Sequence, residues 1–158
     1  MHRIRVYVDT SVFGGTQDEE FDGPSKRFFE RVAGGRYVVL VSRTTTTELE
    51  GAPASVRAVL ETLPPAFIEH VPVGREVDGL ADAYVAAGAV GQAGRADALH
   101  VAAATIARAD LIISWNFQHI VRYDRILKFN GVNAIQGYRA LDIRSPLEID
   151  YDGEDEDV

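Results

Sequence analysis

The chain has 158 residues, 46% of them hydrophobic, which suits one domain with a substantial core; no apolar run approaches the ~20 residues that span a bilayer. Its formal net charge is −8, but six of the 24 acids fall in residues 150–158, leaving 18 acids against 16 bases in residues 1–149 and no basic run of the kind that gives strong, sequence-independent nucleic-acid affinity. Cysteine is absent, which excludes disulfides, thiolate zinc sites and cysteine nucleophiles, so any metal must be held by oxygen or imidazole.

Strand-like and helix-like runs alternate along the chain. Residues 3–8 alternate Ile4, Val6 and Val8 with more polar neighbours, as a strand does. This first segment breaks its apolar run with charge and shows no signal-peptide cleavage pattern, so a cytoplasmic location is expected. Asp9-Thr10-Ser11 follows as a strand-end turn, and Asp18, Glu19, Glu20 and Asp22 form a charged loop. Pro24 sits well in a first helical turn that leads to Phe28, Phe29 and Val32 and stops at Gly34-Gly35. Residues 37–41 are a short β-rich run, and a helix carrying Glu48 and Glu50 begins directly after it.

Val56, Val59, Leu60 and Leu63 recur at helical spacing up to Pro64-Pro65. Residues 67–71 read as an edge strand. Val77, Leu80, Ala81, Tyr84 and Val85 repeat the helical pattern, which ends near Gly88. Residues 97–108 are alanine-rich on nearly every side, which calls for a buried, closely packed helix. Residues 111–113 form a buried strand, residues 122–136 a more polar helix interrupted by Gly131, and residues 140–144 a last, weaker strand. Strands separated by helices argue for a parallel sheet with helices on both faces, in one domain over residues 1–149. Residues 150–158 read as an acidic, disordered tail.

In such sheets ligands bind beyond the carboxyl ends of the strands. Asp9 lies at one such end and Asn116 at another. Glu48 sits on the helix after the second strand, and Asp97 opens the helix before the 111–113 strand. Carboxylates beside apolar surface need a neutralising partner, and a bound cation shared by Asp9, Glu48 and Asp97 is one answer. Asp97 as a helix cap is another. Glu50, about 200° round the helix from Glu48, faces elsewhere. His100 lies one turn beyond Asp97 and reads as a packing histidine. His119 follows the 111–113 strand within reach of a substrate. Arg95 and Arg122 are either phosphate contacts or solvated surface. Ser11 and Ser114 support a carboxylate or bond locally to backbone.

Tyr7-Val-Asp9-Thr-Ser11, Glu48 within Thr-Glu-Leu-Glu, and the stretch from Asp97-Ala-Leu-His through Ser-Trp-Asn-Phe-Gln-His-Ile120 resemble the PIN-domain family. They are most similar to its VapC-like ribonuclease toxins of toxin–antitoxin pairs. The resemblance runs from about residue 4 to 149, and 97–120 is its most specific part. It implies a three-layer α/β/α fold around a mainly parallel sheet. It also implies Mg²⁺- or Mn²⁺-dependent cleavage of RNA phosphodiester bonds to 5′-phosphate and 3′-hydroxyl products, a protein antitoxin and a homodimer. By position it makes Asp9 and Asp97 direct metal ligands, Glu48 a ligand directly or through water, and Asn116 the stand-in for a fourth acid. An amide at that place lacks the charge to favour a second ion.

Two other classes fit less well. A receiver-type signalling domain wants a lysine at a strand end, and the chain's lysines, Lys26 and Lys128, lie elsewhere. A dinucleotide binder wants G-x-G-x-x-G after the first strand, where the chain has Gly14-Gly15. A PIN-like binding module without catalysis is the remaining alternative.

Overall fold

The computed structural model describes residues 3–151; residues 152–158 of the expected tail lie outside the described residues. Five strands, β1 (Ile4–Val8), β2 (Tyr37–Val41), β3 (Ile68–His70), β4 (Leu111–Ile113) and β5 (Asp142–Arg144), form one sheet in the order β3-β2-β1-β4-β5. Every pairing is parallel, with Tyr7 opposite both Leu40 and Ile112 and Val8 opposite Ile113. The expected edge strand β3 and the weak strand β5 are both present. Each is shorter than the sequence pattern suggested, and each closes one border of the sheet.

Helices α1 (Thr10–Gly15), α2 (Asp22–Ala33), α3 (Arg43–Glu50), α4 (Ala54–Glu61), α5 (Arg75–Ala86), α6 (Arg95–Ile106) and α7 (Tyr123–Ile135) connect the strands. Alternate side chains of the sheet feed two cores. Tyr7, Leu40, Ile112 and Ile143 pack against Tyr84, Val101 and Phe129 of α5, α6 and α7. Val6, Val8, Val39 and Ile113 pack against Val12, Phe13, Phe28, Phe29 and Val56 of α1, α2 and α4. The result is the three-layer α/β/α arrangement expected. Among the described residues no helix is long and apolar enough to cross a membrane.

Three local expectations are corrected. Residues 10–15 are a helix rather than a turn: the Val12 N–H bonds to the Asp9 carbonyl at 2.9 Å, and burial of Val12 and Phe13 outweighs the poor helix propensity of Thr, Ser and two glycines. Gly131 does not interrupt α7, because Phe129, Val132 and Asn133 anchor the turns around it; the Tyr84 hydroxyl donates to Asn133 Oδ1 at 2.5 Å. Asp150 is held by the body: Arg27 donates to both its carboxylate oxygens, at 2.8 and 2.7 Å, and Arg31 adds a contact at 3.1 Å.

The chain runs β1 to β2 to β3 in one direction, then returns across β1 to lay down β4 and β5. The order therefore reverses between β1 and β4. The crevice at such a switch point, outside the carboxyl ends of the strands, is where open α/β sheets bind ligands.

Candidate active site

Asp9 is the first residue after β1, and its N–H bonds to the Ile113 carbonyl of β4 at 3.1 Å. That bond sets the carboxylate at the β1/β4 crevice, where it is 5% exposed. Hydroxyls compensate for its lost water: Ser11 Oγ donates to Asp9 Oδ2 at 2.6 Å and Ser114 Oγ donates to the same oxygen at 2.8 Å. Ser11 and Ser114 thus support a carboxylate. Ser11 Oγ also accepts the Trp115 N–H at 2.9 Å, which ties the start of α1 to the loop after β4.

Asp97 lies in the first turn of α6, two residues inside a helix that starts at Arg95 and is capped by Gly94. It neither opens nor caps the helix, so the capping explanation falls. Burial pushes its carboxyl above the usual range, and the negative charge of Asp9 pushes it further; His119 opposes both. Two acids from elements far apart in sequence therefore feel one another at the switch point. His119 Nδ1 lies 3.2 Å from Asp97 Oδ2, and its position is fixed from behind, because Asn116 Oδ1 accepts the His119 N–H at 2.9 Å. The Asn116 carboxamide oxygen, expected beside the acids, serves to shape the loop that carries His119.

The third acid is organised by a residue that the sequence pattern assigned to packing. His100 is 1% exposed. Its Nδ1 is 2.8 Å from the Tyr7 hydroxyl, its Nε2 bonds to Glu48 Oε1, and the same Nε2 lies 3.6 Å from Asp9 Oδ1. The Tyr7 hydroxyl continues to Ser42 Oγ at 2.7 Å, at the start of α3. Burial alone would lower the His100 pKa; the oxygen of Tyr7, the hydrogen bond to Glu48 and the charges of Asp9 and Glu48 reverse this and raise it to about 10. Against its own burial, the hydrogen bond and charge of His100, with a 2.8 Å bond from Thr10, keep the Glu48 carboxyl below the usual range. The signal for His100 was its place three residues beyond Asp97, on the same helical face. Nothing in the spacing of Tyr7, Thr10 or Ser42 announced them.

Glu50 is exposed and lines a groove with Leu49, Arg57 and Glu61. Arg95 pairs with Asp82 and approaches Asp78 at 4.0 Å, while Arg122 makes a two-pronged pair with Asp124 at 2.6 and 2.7 Å. Asp110 Oδ2 accepts the Arg5 N–H at 2.8 Å at the opposite end of the sheet. A groove of about 340 Å³ lies between α1, α2 and α4, lined by residues such as Phe29, Ala33, Val59 and Leu63 and by none of these acids.

Among the described residues, no group of three or more His, Asp or Glu side chains is arranged to hold a metal ion. Of the expected three acids, Glu48 stands next to Asp9 across His100 Nε2, while Asp9 and Asp97 interact as a pair of like charges. The donor chemistry of that pair still fits a hard divalent cation. Two carboxylates in mutual repulsion are what Mg²⁺ neutralises, and Mg²⁺ ordinarily takes one or two carboxylates and keeps several waters.

The fold is a PIN-like three-layer α/β/α sandwich around a parallel sheet. No protein-family model matches the chain, and no curated protein matches it. Among solved structures it is similar to VapBC2 from Rickettsia felis bound to a DNA fragment from their promoter, with a TM-score of 0.55 and 10% identity over 90% of this chain and 98% of that one. At that identity the likeness establishes the fold alone.

Proposed function

We propose that this protein is a metal-dependent endoribonuclease of the toxin type, which hydrolyses RNA phosphodiester bonds and is held in check by a protein antitoxin. The observation that carries the reading is the Asp9–Asp97 pair at the sheet's switch point: Asp9 is buried, and its charge adds to the burial that already disfavours a charged Asp97. Asp9 and Asp97 are the residues that hold Mg²⁺ or Mn²⁺. When bound, the ion supplies an acidified water and offsets charge on the phosphate oxygens. Ser11 and Ser114 orient Asp9 through Oδ2, and Asn116 orients the His119 loop. Glu48 bonds to Thr10 and His100 through Oε1, so Oε2 is the oxygen available to position a water. The solved structure it is similar to is a complex with DNA from its own promoter, which supports an antitoxin partner for this chain too. A homodimer and a cytoplasmic location complete the proposal.

The test is cleavage of RNA by the purified chain with Mg²⁺ or Mn²⁺. Chelator should stop it, and Asp9→Ala and Asp97→Ala should each lower it by at least about 100-fold, since a catalytic ion supplies several kcal/mol. Unaltered cleavage in both variants overturns the assignment.

A second reading, a PIN-like binding module without catalysis, is favoured by one observation: Asn116 supplies no charge and its carboxamide oxygen is already engaged by His119. Calorimetry separates the two. Mg²⁺ binding that disappears in Asp97→Ala supports the nuclease, and RNA binding without Mg²⁺ binding or cleavage supports the module.

A further inference from the structure

The loop after β4 carries an aromatic construction that the acids do not use. Phe117 is 44% exposed and is not among the residues of either core. It stands edge-on to Trp115, with ring centres 6.1 Å apart and planes at 65°. Trp115 is 6% exposed and is locked on several sides. Phe21 stacks on its ring at 4.2 Å and 18°, its Nε1 donates to Ser25 Oγ at 2.9 Å, and its backbone N–H is held by Ser11. Gly15 is part of the same fit, because a Cβ there would stand 2.6 Å from Ser25 Oγ and 2.7 Å from Trp115 Nε1. The backbone of Phe117 is also tied down: its N–H bonds to the Trp115 carbonyl at 2.9 Å, and the Asn116 carbonyl accepts from Ile120 and Val121. An exposed ring thus stands on a hydrogen-bonded loop two residues from His119, whose Nδ1 lies 3.2 Å from Asp97 Oδ2.

The charges nearby point the same way. Arg95 and Arg122, the cations nearest Asp97 and His119 in sequence, are engaged by Asp82 and Asp124, and residues 1–149 carry 18 acids against 16 bases, with no net positive charge. Phosphate contacts are therefore a poor source of affinity for this surface. Stacking of a base on an aromatic face is an alternative that needs no net charge, and it requires a base that is not already stacked in a helix.

From this, and resting on the ribonuclease reading above, we propose that Phe117 is a substrate-binding residue, on whose exposed ring an unpaired nucleobase of the substrate stacks. Trp115, Phe21 and Gly15 are positioning residues for that ring.

Binding is measured on the full chain carrying Asp97→Asn, so that the strand stays whole, by the fluorescence of Trp115, the one tryptophan. The probes are a mixed-sequence single-stranded RNA oligomer and the same strand annealed to its complement. The single strand should quench Trp115. Phe117→Leu, which keeps apolar bulk against Trp115, and Phe117→Ala should weaken its binding by roughly tenfold, while Phe117→Tyr restores it. The duplex should bind weakly and respond to none of these changes. In cleavage by the otherwise unaltered protein, Phe117→Leu should raise KM by roughly tenfold and leave kcat within about twofold. Equal binding of the single strand by Phe117→Leu and its parent, or no saturable binding by the parent, overturns the proposal. Binding that depends on Phe117 without cleavage by the otherwise unaltered protein overturns the nuclease reading and leaves the platform standing.

Discussion

The hydroxyl of Ser114, the first residue after β4, donates to the carboxylate of Asp9, the first residue after β1, at 2.8 Å. Two strands adjacent in the sheet are thereby joined, at the point where the strand order reverses, by residues 105 positions apart in the chain. A hydrogen bond to a buried charge contributes more than an ordinary one, about 1.5–3 kcal/mol. Ser114→Ala should lower unfolding stability in urea by about that amount with an unchanged m-value. A loss below ~0.5 kcal/mol would show that Ser11 alone satisfies Asp9.

Asp97 makes the opposite kind of contribution. Its carboxyl titrates above the usual range because burial and Asp9 both disfavour its charge. A raised carboxyl pKa in the folded state means that stability falls as pH rises from the unfolded to the folded value and stays lower at neutral pH. Asp97→Asn should therefore raise the Tm of metal-free protein at pH 7. It should also shrink the increase in Tm that Mg²⁺ produces in the parent. Differential scanning fluorimetry with and without chelator reads both. A lower Tm in metal-free Asp97→Asn would contradict the repulsion.

His100 acts with the reverse sign. The folded protein raises its pKa from about 6.5 to about 10, so the proton is held more tightly folded than unfolded. Its contribution is fully present below pH 6.5 and is lost as pH rises towards 10. The partner Glu48 is held low, so its share is present above the unfolded carboxylate range and is lost as pH falls below it. The pair should give a plateau of stability from above the carboxylate range to about pH 6.5, followed by a decline through neutral and alkaline pH. His100→Gln should flatten the alkaline decline and cost about 3 kcal/mol at pH 7, since it strands buried partners. Urea unfolding across the pH range checks this. An alkaline slope retained in the variant would assign it to other groups.

Asp150 is tied to α2. Its side chain is 14% exposed and bonds to Arg27 and Arg31. Asp150→Ala should cost about 1 kcal/mol, at the upper end of what partly exposed pairs contribute. Thermal unfolding of the variant and its parent checks this, and an unchanged Tm would show that the pair contributes nothing.

Much of the architecture was legible from residue order. Among the described residues, all five strands and six of the seven helices were located by periodicity, by short β-rich runs and by the alanine-rich stretch, because such patterns reflect local geometry and burial. Helix α1 escaped because its six residues contain two glycines and owe their helicity to tertiary burial of Val12 and Phe13. Asp97 and Asp9 were legible as carboxylates out of place beside apolar runs.

Their surroundings were not. The sequence by itself determined an α/β alternation, the absence of thiol chemistry and acids placed at strand ends, since these depend on composition and on neighbours within a few residues. Only the tertiary structure decided that Ser114 meets Asp9, that His100 stands between Glu48 and Asp9, and that Asn116 shapes the His119 loop. Those contacts join residues brought together by the return of the chain across β1. Hydrogen bonds act over about 3 Å, so the three-dimensional crossing of strands, and no pattern along the chain, selects their partners.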